Sequence, residues 1–493
     1  EDAGLGAPNV HFDTAIAAYL LDPVDGSHAL TRLVDLYLGS ALPEGEATSA
    51  GELDFGDVTR SYSLDAASAR AVAALVGPLT SALEAAGMFG LFTDVEVPLI
   101  GVLARMESRG IGVDRSGLVA IRDALTKRVN ELTVILHDLV GHEFNLNSPT
   151  QLQKILFEER NLTKGKKTKT GYSTDAATLE KLRGEWPEFI DALLEYREVE
   201  KLRGTYGEGL LSVVGTDERI HATFNQMVAR TGRLSSENPN LHNIPVRSDL
   251  GKVFRTAFVA PKGHELLVAD YNQIELRCIA HLANDPGLIA AFTAGVDIHS
   301  ATAARVFDID PQNVNTDQRS KAKMVSYGLA YGMEAYGLAQ RLSIEVSEAS
   351  EILEAYFAAF PAVRAYMDRT VTEARNRGYT ETLFGRRRPI PELTSDNFRV
   401  RQAGERQAMN AGIQGLAADI FKIALVRIDR ALEREGLRGR LVLQVHDEVI
   451  VEAPLKEKAR TADLVLGIMR NAAHLAVPLE VNSAWGATWA AAK

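Results

Sequence analysis

LLVADYNQIELR (residues 266–277) starts as one kind of structure and ends as another. Its first half is an apolar run typical of a buried strand, and its second half spaces apolar residues as a helix does. Asp270 stands where the first pattern stops. In LVLQVHDEVIVEA (441–453), two β-branched runs flank His446 and Asp447 like the arms of a hairpin. Each carboxylate is therefore expected at a strand end or turn, held by a sheet. Carboxylate oxygen is the ligand that hard Mg2+ prefers, and a pair of carboxylates brought together from distant positions is what two-metal phosphoryl chemistry requires. Taken alone, a strand-end Asp is more often a turn residue or a helix cap.

The segment between them, QRSKAKMVSYGLAYG (318–332), shifts that balance. Arg319, Lys323, Tyr327 and Tyr331 recur every four residues, which on a helix sets them along one slowly drifting stripe. Two cations followed by two aromatic rings suit a nucleotide: charge for the phosphates, a ring for sugar or base. A second stripe, Arg406, Asn410 and Gln414, offers bidentate polar groups for base edges or a sugar–phosphate backbone. Either stripe alone reads better as the polar face of an amphipathic helix. The chain lacks G-x-x-x-x-G-K-[ST], HExxH, a Cys/His cluster and G-x-S-x-G, which removes P-loop nucleotide binding, zincins, zinc deaminases and serine hydrolases. A carboxylate-plus-cation site remains.

The chain's 493 residues call for two to four domains, and 46% hydrophobic with 24% charged residues describes a globular protein with ample core. Its apolar runs read as too short to span a membrane, and no signal peptide is evident. A single cysteine, Cys278, rules out an intramolecular disulfide and a cysteine-based zinc cluster, and is expected in the core on a helix. The net charge of −11 argues against nucleic-acid binding, but the local distribution does not. Residues 160–183 hold seven Lys or Arg against two acids, and residues 384–406 hold six Arg against three. Each patch alone is a solvated face; together they suit a groove that follows a polyanion.

Residues 1–93 are Ala-rich and begin without a methionine, which reads as a fragment. From Val95 to Leu211 the pattern is mostly helical, with Ser148 as an N-cap, Pro149 at the first helical position and a basic loop at 161–173. Residues 212–283 read as strands with one helix and 284–400 as helical, ending in the turn LFGRRRPIPEL. A long helix and the Asp447 hairpin follow. The chain leaves a sheet, makes a helical excursion and returns to it.

These phrases match a known family. VADYNQIELR, RSKAKMVSYGLAYG and QVHDEVIVEAP resemble motifs A, B and C of the bacterial family A DNA polymerases, in the family's order; TGRLSSENPNLHNIPVR (231–247) and DIHSATAARVF (297–307) are also similar. The resemblance covers residues 94–493 and implies an α/β (α+β) right-hand polymerase, with an antiparallel β palm, helical thumb and helical fingers, plus a partial RNase H-like exonuclease domain. The implied boundaries are 1–93 for an inactive partial 3′–5′ exonuclease domain, 94–114 for a palm-packing helix, and 115–213 for the thumb. The palm would take 214–283 and 401–493, and the fingers 284–400.

By the same resemblance, Asp270, Asp447 and the main-chain carbonyl of Tyr271 hold two Mg2+ ions, with Mn2+ as a possible substitute and Glu448 in support. Lys323, Arg319 and His299 contact the triphosphate, and Lys323 is the candidate proton donor to pyrophosphate. Gln273 positions the incoming dNTP, and Tyr331 shapes the pocket for the templating pair. Arg233, Gln414 and His446 read the minor groove at the primer terminus, while Arg406 and Asn410 contact primer–template DNA nearby. Lys164, Lys166, Lys167 and Lys169 form the cationic tip of the thumb. Glu275 matches the steric gate that rejects a 2′-hydroxyl. Tyr327 stands where many members have Phe, which implies ready incorporation of dideoxynucleotides, because a Tyr hydroxyl can replace the missing 3′-hydroxyl.

Residues 1–93 resemble the latter part of the family's exonuclease domain. Asp13 and Asp65 match metal-binding aspartates there, Ser61 replaces the expected Tyr, and the strand with the first acidic pair is missing. Proofreading is therefore expected to be absent. The expected partners are primer–template DNA and dNTPs but no membrane, with the protein a monomer in the bacterial cytoplasm, associated with the nucleoid. Three rivals are weighed. A single-subunit RNA polymerase is disfavoured by Glu275, a silent DNA-binding scaffold by the intact Asp270, Lys323 and Asp447, and a nuclease by its incomplete carboxylate set.

Overall fold

The computed structural model describes residues 10–42, 58–165, 167–168, 171–245, 249–330 and 332–493. It is a mixed helix-and-sheet protein. The chain forms two compact units, one from Glu1–Ser108, Thr223–Glu237 and Leu267–Ala484, the other from Arg109–Ala222, Asn238–Leu266 and Trp485–Lys493.

In the second unit, Asp114 caps the long helix Arg115–Val140 by accepting from the Gly117 N–H at 3.0 Å, and Gly141 ends it at φ 89°. Leu118, Leu125, Leu132 and Leu136 are buried along this helix, which packs on Pro187–Leu202, where Phe189, Ile190 and Leu193 are buried. Ser148 caps the next helix with Pro149 at its first turn, as its sequence predicts. The basic segment read as a loop contains a short antiparallel ribbon pairing Lys167–Thr168 with Gly171–Tyr172. Helix Asp249–Thr256 was not anticipated, because at eight residues it is shorter than the run from which periodicity separates a helix from a strand.

A four-stranded sheet runs in the order Arg440–Val445, Glu448–Pro454, His264–Tyr271, Val481–Gly486. Two of its strands, Glu448–Pro454 and His264–Tyr271, are interior, and their near-continuous burial explains why both read as apolar runs. The long helix Phe398–Arg434 starts at Asn397, whose side chain accepts from the Arg399 N–H, and buries a nearly unbroken face from Ala411 to Val426. The turn LFGRRRPIPEL is part of another ribbon, pairing Tyr379–Glu381 with Arg387–Pro389.

Near the N-terminus, the stretch Asp65–Ala85 of helix Val58–Ala85 is long and apolar enough to cross a membrane by length and composition, contrary to the sequence reading of short apolar runs. Its Leu75, Leu79 and Leu83 are fully buried at four-residue spacing, and the helix packs on Thr14–Leu21 and Leu30–Leu38. Cys278 is buried on helix Ile274–Ala283, as expected.

Candidate active site

Strand order brings Asp270, on one interior strand, next to the turn that enters the neighbouring strand, where Asp447 lies. Asp270 is the penultimate residue of His264–Tyr271, half-buried after the buried run Leu266–Ala269. Val445 pairs with Glu448, so His446 and Asp447 form the whole turn between the two arms, and His446 takes the left-handed conformation at φ 54°. The Tyr271 N–H donates to the Asp447 carbonyl at 3.2 Å, joining the two motifs directly. Burial pushes the Asp447 carboxyl up to about 6; Arg233 opposes this, while the like charges of Glu275 and Asp270 reinforce it. Glu448 is buried at the start of the next strand.

After Asp270 the chain turns through Gln273, also left-handed at φ 55°, into helix Ile274–Ala283. Glu275, in its first turn, is almost fully buried and ion-paired with Arg233. The proposed sugar-facing carboxylate and the proposed minor-groove arginine are thus partners in this structure. Arg277, which the sequence reading passed over, fixes the turn: it donates to the Asn272 carbonyl at 2.8 Å and to the Pro478 carbonyl and Glu480 carboxylate at 2.5 Å. Its place in a buried helical repeat was the only signal.

Helix Thr316–Ala330 carries Arg319, Lys323 and Tyr327. Lys323 is exposed. Arg319 pairs with Asp297 at 2.7 Å, and Asp297 also caps helix Ile298–Val306 by accepting from the Ser300 N–H at 2.6 Å. Burial alone would raise the Asp297 carboxyl, but the Arg319 and Ser300 donors outweigh it and hold the pKa down to about 2. His299 is buried against Tyr327, ring centroids 5.6 Å apart, with its Nδ1 unpartnered. Burial, aided by Lys323 and Arg319 against the opposing Asp297, pushes its pKa down to about 4 and keeps it neutral. Tyr331 lies outside the described residues.

On the long helix, Arg406, Asn410 and Gln414 are half-buried along one stripe. Arg406 is held by Glu334 at 3.0 Å, and Gln402 donates to the same Glu334 oxygen at 3.2 Å. Gly332, at φ 65°, packs so closely on this stripe that a Cβ there would lie 3.0 Å from Asn410 Nδ2 and 3.2 Å from the Arg406 Cβ. In the other unit, Lys164 and Lys167 are exposed on the basic segment, with Lys164 Nζ 5.6 Å from the Tyr172 ring centroid; Lys166 and Lys169 lie outside the described residues. Asp13 caps helix Thr14–Leu21 by accepting from the Ile16 N–H at 2.9 Å, and Asp65 is exposed on its helix.

The model of DNA polymerase family A matches residues 115–491. The chain belongs to the family A DNA polymerases. It is 44% identical over 494 residues to DNA polymerase I of Geobacillus stearothermophilus, covering 99% of this chain and 56% of that one. Against DNA polymerase I of Mycobacterium bovis it is 44% identical over 486 residues, covering 97% of this chain and 54% of that one. The chain thus spans about half the length of these curated relatives. Among solved structures, the POL domain of Pol1 from M. smegmatis, in complex with DNA primer-template and dNTP, superposes with a TM-score of 0.91. It is 43% identical, with 98% of this chain and 82% of that chain covered.

Among the described residues, no set of three or more His, Cys, Asp or Glu side chains is arranged to hold a metal ion by itself. The donor set that is present suits a divalent cation completed by substrate phosphates. Two carboxylates and a carbonyl lie at adjoining strand ends, and one carboxyl is pushed up partly by its acidic neighbours, a repulsion that a cation would relieve.

Proposed function

We propose that this chain is a template-directed DNA polymerase that joins dNTPs to a primer 3′-hydroxyl and releases pyrophosphate, in DNA repair and gap filling. The observation that carries this reading is the junction of Asp270, near the end of one interior strand, with Asp447, in the turn that enters its neighbour, and a cation-bearing helix in the same compact unit. Asp270, Asp447 and the Tyr271 carbonyl would hold two Mg2+ ions, which supply charge neutralisation and Lewis acidity at the reacting phosphate when bound.

The protein's own groups do the rest. Lys323, exposed, neutralises the triphosphate and gives a proton to the leaving pyrophosphate. Arg319 joins it by exchanging Asp297 for phosphate oxygens. Neutral His299, packed against the Tyr327 ring, contacts the triphosphate beside Lys323 and Arg319. Glu275, immobilised by Arg233, forms a wall against the sugar that leaves no room for a 2′-hydroxyl. Arg233, with Gln414 and His446, reads minor-groove acceptors at the primer terminus, where correct pairs of every sequence present them.

The N-terminal segment does not proofread in this reading. Asp13 is engaged as a helix cap, and Asp65 is exposed on a helix. Primer extension with Mg2+ and dNTPs, beside Asp447→Ala, tests the assignment. Extension by the wild type alone supports it. Tight primer–template binding without extension by either protein would mean a DNA-binding scaffold.

A further inference from the structure

A buried charge network sits apart from the carboxylate pair, and the chemistry above leaves it unused. Glu96, Arg386, Asp419 and Lys422 are all nearly inaccessible, and their charges cancel. Glu96 accepts from Lys422 Nζ at 2.8 and 3.1 Å, from Gln226 Nε2 at 2.7 Å and from Arg386. Arg386 Nε donates to Asp419 at 2.7 Å, and the Thr382 hydroxyl donates to the other Asp419 oxygen at 2.7 Å. A buried ionic cluster of this kind adds little stability over well-packed apolar residues, so its value has to be sought in what it orients.

Its contacts converge on one loop. Between strands Thr223–Asn225 and Ser235–Glu237, residues 226–234 leave Val228 and Arg230 exposed but are anchored at every third residue. Gln226 is tied to the Glu96 carboxylate and to its carbonyl at 3.1 Å. The Ala229 carbonyl accepts from the Tyr19 hydroxyl at 2.6 Å and from the Gly232 N–H at 3.0 Å, closing a turn. Gly232, at φ 84°, lies against the Arg386 guanidinium: a Cβ there would stand 2.6 Å from Nε. The next residue is Arg233.

We infer that Tyr19, Glu96 and Arg386 form a positioning brace for Arg233, and that the N-terminal segment serves the polymerase site through it. The inference rests on the reading of Arg233 as the minor-groove probe of the primer terminus. Tyr19 comes from helix Thr14–Leu21, in the segment that resembles part of an exonuclease domain. Removing the Tyr19 hydroxyl leaves the aromatic packing in place and takes away one of the two donors on the Ala229 carbonyl, so the turn before Arg233 is held by the Gly232 N–H alone. Tyr19, Glu96 and Arg386 touch no substrate group in this assignment; they act through the arginine.

The test compares single-turnover extension of two primers, one ending in guanine and one ending in an analogue with carbon in place of the minor-groove N3 acceptor. The wild type should extend the analogue more slowly, and Arg233→Ala should extend both alike. Tyr19→Phe, and Gln226→Met as a second release of the same loop, should slow the normal primer by about three- to tenfold, the size of one hydrogen bond. Both should also compress the ratio between primers towards that of Arg233→Ala, at an unchanged Kd for dNTP. A double variant Tyr19→Phe/Arg233→Ala should be no slower than Arg233→Ala. A wild-type ratio in both loop variants overturns the brace. A wild-type ratio in Arg233→Ala instead removes the minor-groove reading beneath it, and the two failures are thereby told apart.

Discussion

Replacing Glu96 by Gln should be among the most destabilising single-atom changes this chain can suffer. The amide keeps the shape of the carboxylate but turns one acceptor oxygen into an NH2 group, and both oxygens already face donors. Lys422 Nζ lies 2.8 Å from one and 3.1 Å from the other, Gln226 adds a donor to Oε2 at 2.7 Å, and Arg386 adds one to Oε1. Whichever oxygen is replaced, a donor meets a donor. The buried set also moves from balanced charge to a net positive one, with no water to screen it. Holding these cations keeps the Glu96 carboxyl down to about 2, although burial, the largest single influence, pushes it upward. Breaking a buried ion pair from one side costs about 3–5 kcal/mol. At about 2 °C per kcal/mol for a large domain, the melting temperature should fall by about 6–10 °C. Urea titration followed by tryptophan fluorescence and scanning calorimetry would measure both. Adding Lys422→Met restores neutrality, so the double variant should lose about 1–3 kcal/mol less than the singles combined. Strict additivity, or a Glu96→Gln loss below about 1 kcal/mol, would refute the claim that the four charges act as one unit.

Other consequences can be checked separately. Tyr327→Phe should increase discrimination against dideoxynucleotides by about tenfold or more, the value of one hydrogen bond to a charged group, in a dNTP/ddNTP competition assay; no change would remove the role given to its hydroxyl. Glu275→Ala should admit ribonucleotides and also lower kcat, since it strips Arg233 of its partner; unchanged ribonucleotide exclusion would sink the gate assignment. Glu334→Gln should tighten primer–template binding about two- to fivefold at low salt, by releasing Arg406 from an exposed ion pair of modest strength; a weaker complex would show that Glu334 positions Arg406 instead of competing for it. His299 has a folded pKa of about 4, below its ordinary 6.5, so between those values the unfolded chain binds a proton that the folded chain refuses. Stability tied to neutral His299 is complete above pH 6.5 and drains as pH falls towards 4, and His299→Phe should flatten that slope in melts from pH 7 to 4.5.

Much of the carboxylate site was legible because it obeys local rules. Asp270 and Asp447 follow apolar strand runs, and a hairpin two residues long declares itself around His446. The stripe through Arg319, Lys323 and Tyr327 is a matter of helical period. What escaped depends on pairing across long separations. Nothing in VEVPLIG distinguishes the wholly buried Glu96 from a surface acid, because its partners lie 290 and 326 residues away. The Arg233–Glu275 pair joins two residues that each invited a substrate role, so sequence reasoning had no cause to pair them. Asp297 was visible only as part of a family phrase, although its spacing before helix Ile298–Val306 is that of an N-cap.

The order of strands in the central sheet has a consequence for how the protein is made. His264–Tyr271 lies between Glu448–Pro454 and Val481–Gly486, and both neighbours are synthesised after it. About 170 residues separate its end from the hairpin that begins at Arg440. At about 5–20 residues per second, the ribosome needs roughly 10–35 s to deliver that hairpin. Throughout that interval LLVA presents two unpaired edges to the cell, a template for association with other chains. Nascent-chain survival in this protein should therefore depend on translation speed and on chaperone capacity between residues 271 and 486, far more than on the stability of the finished sheet.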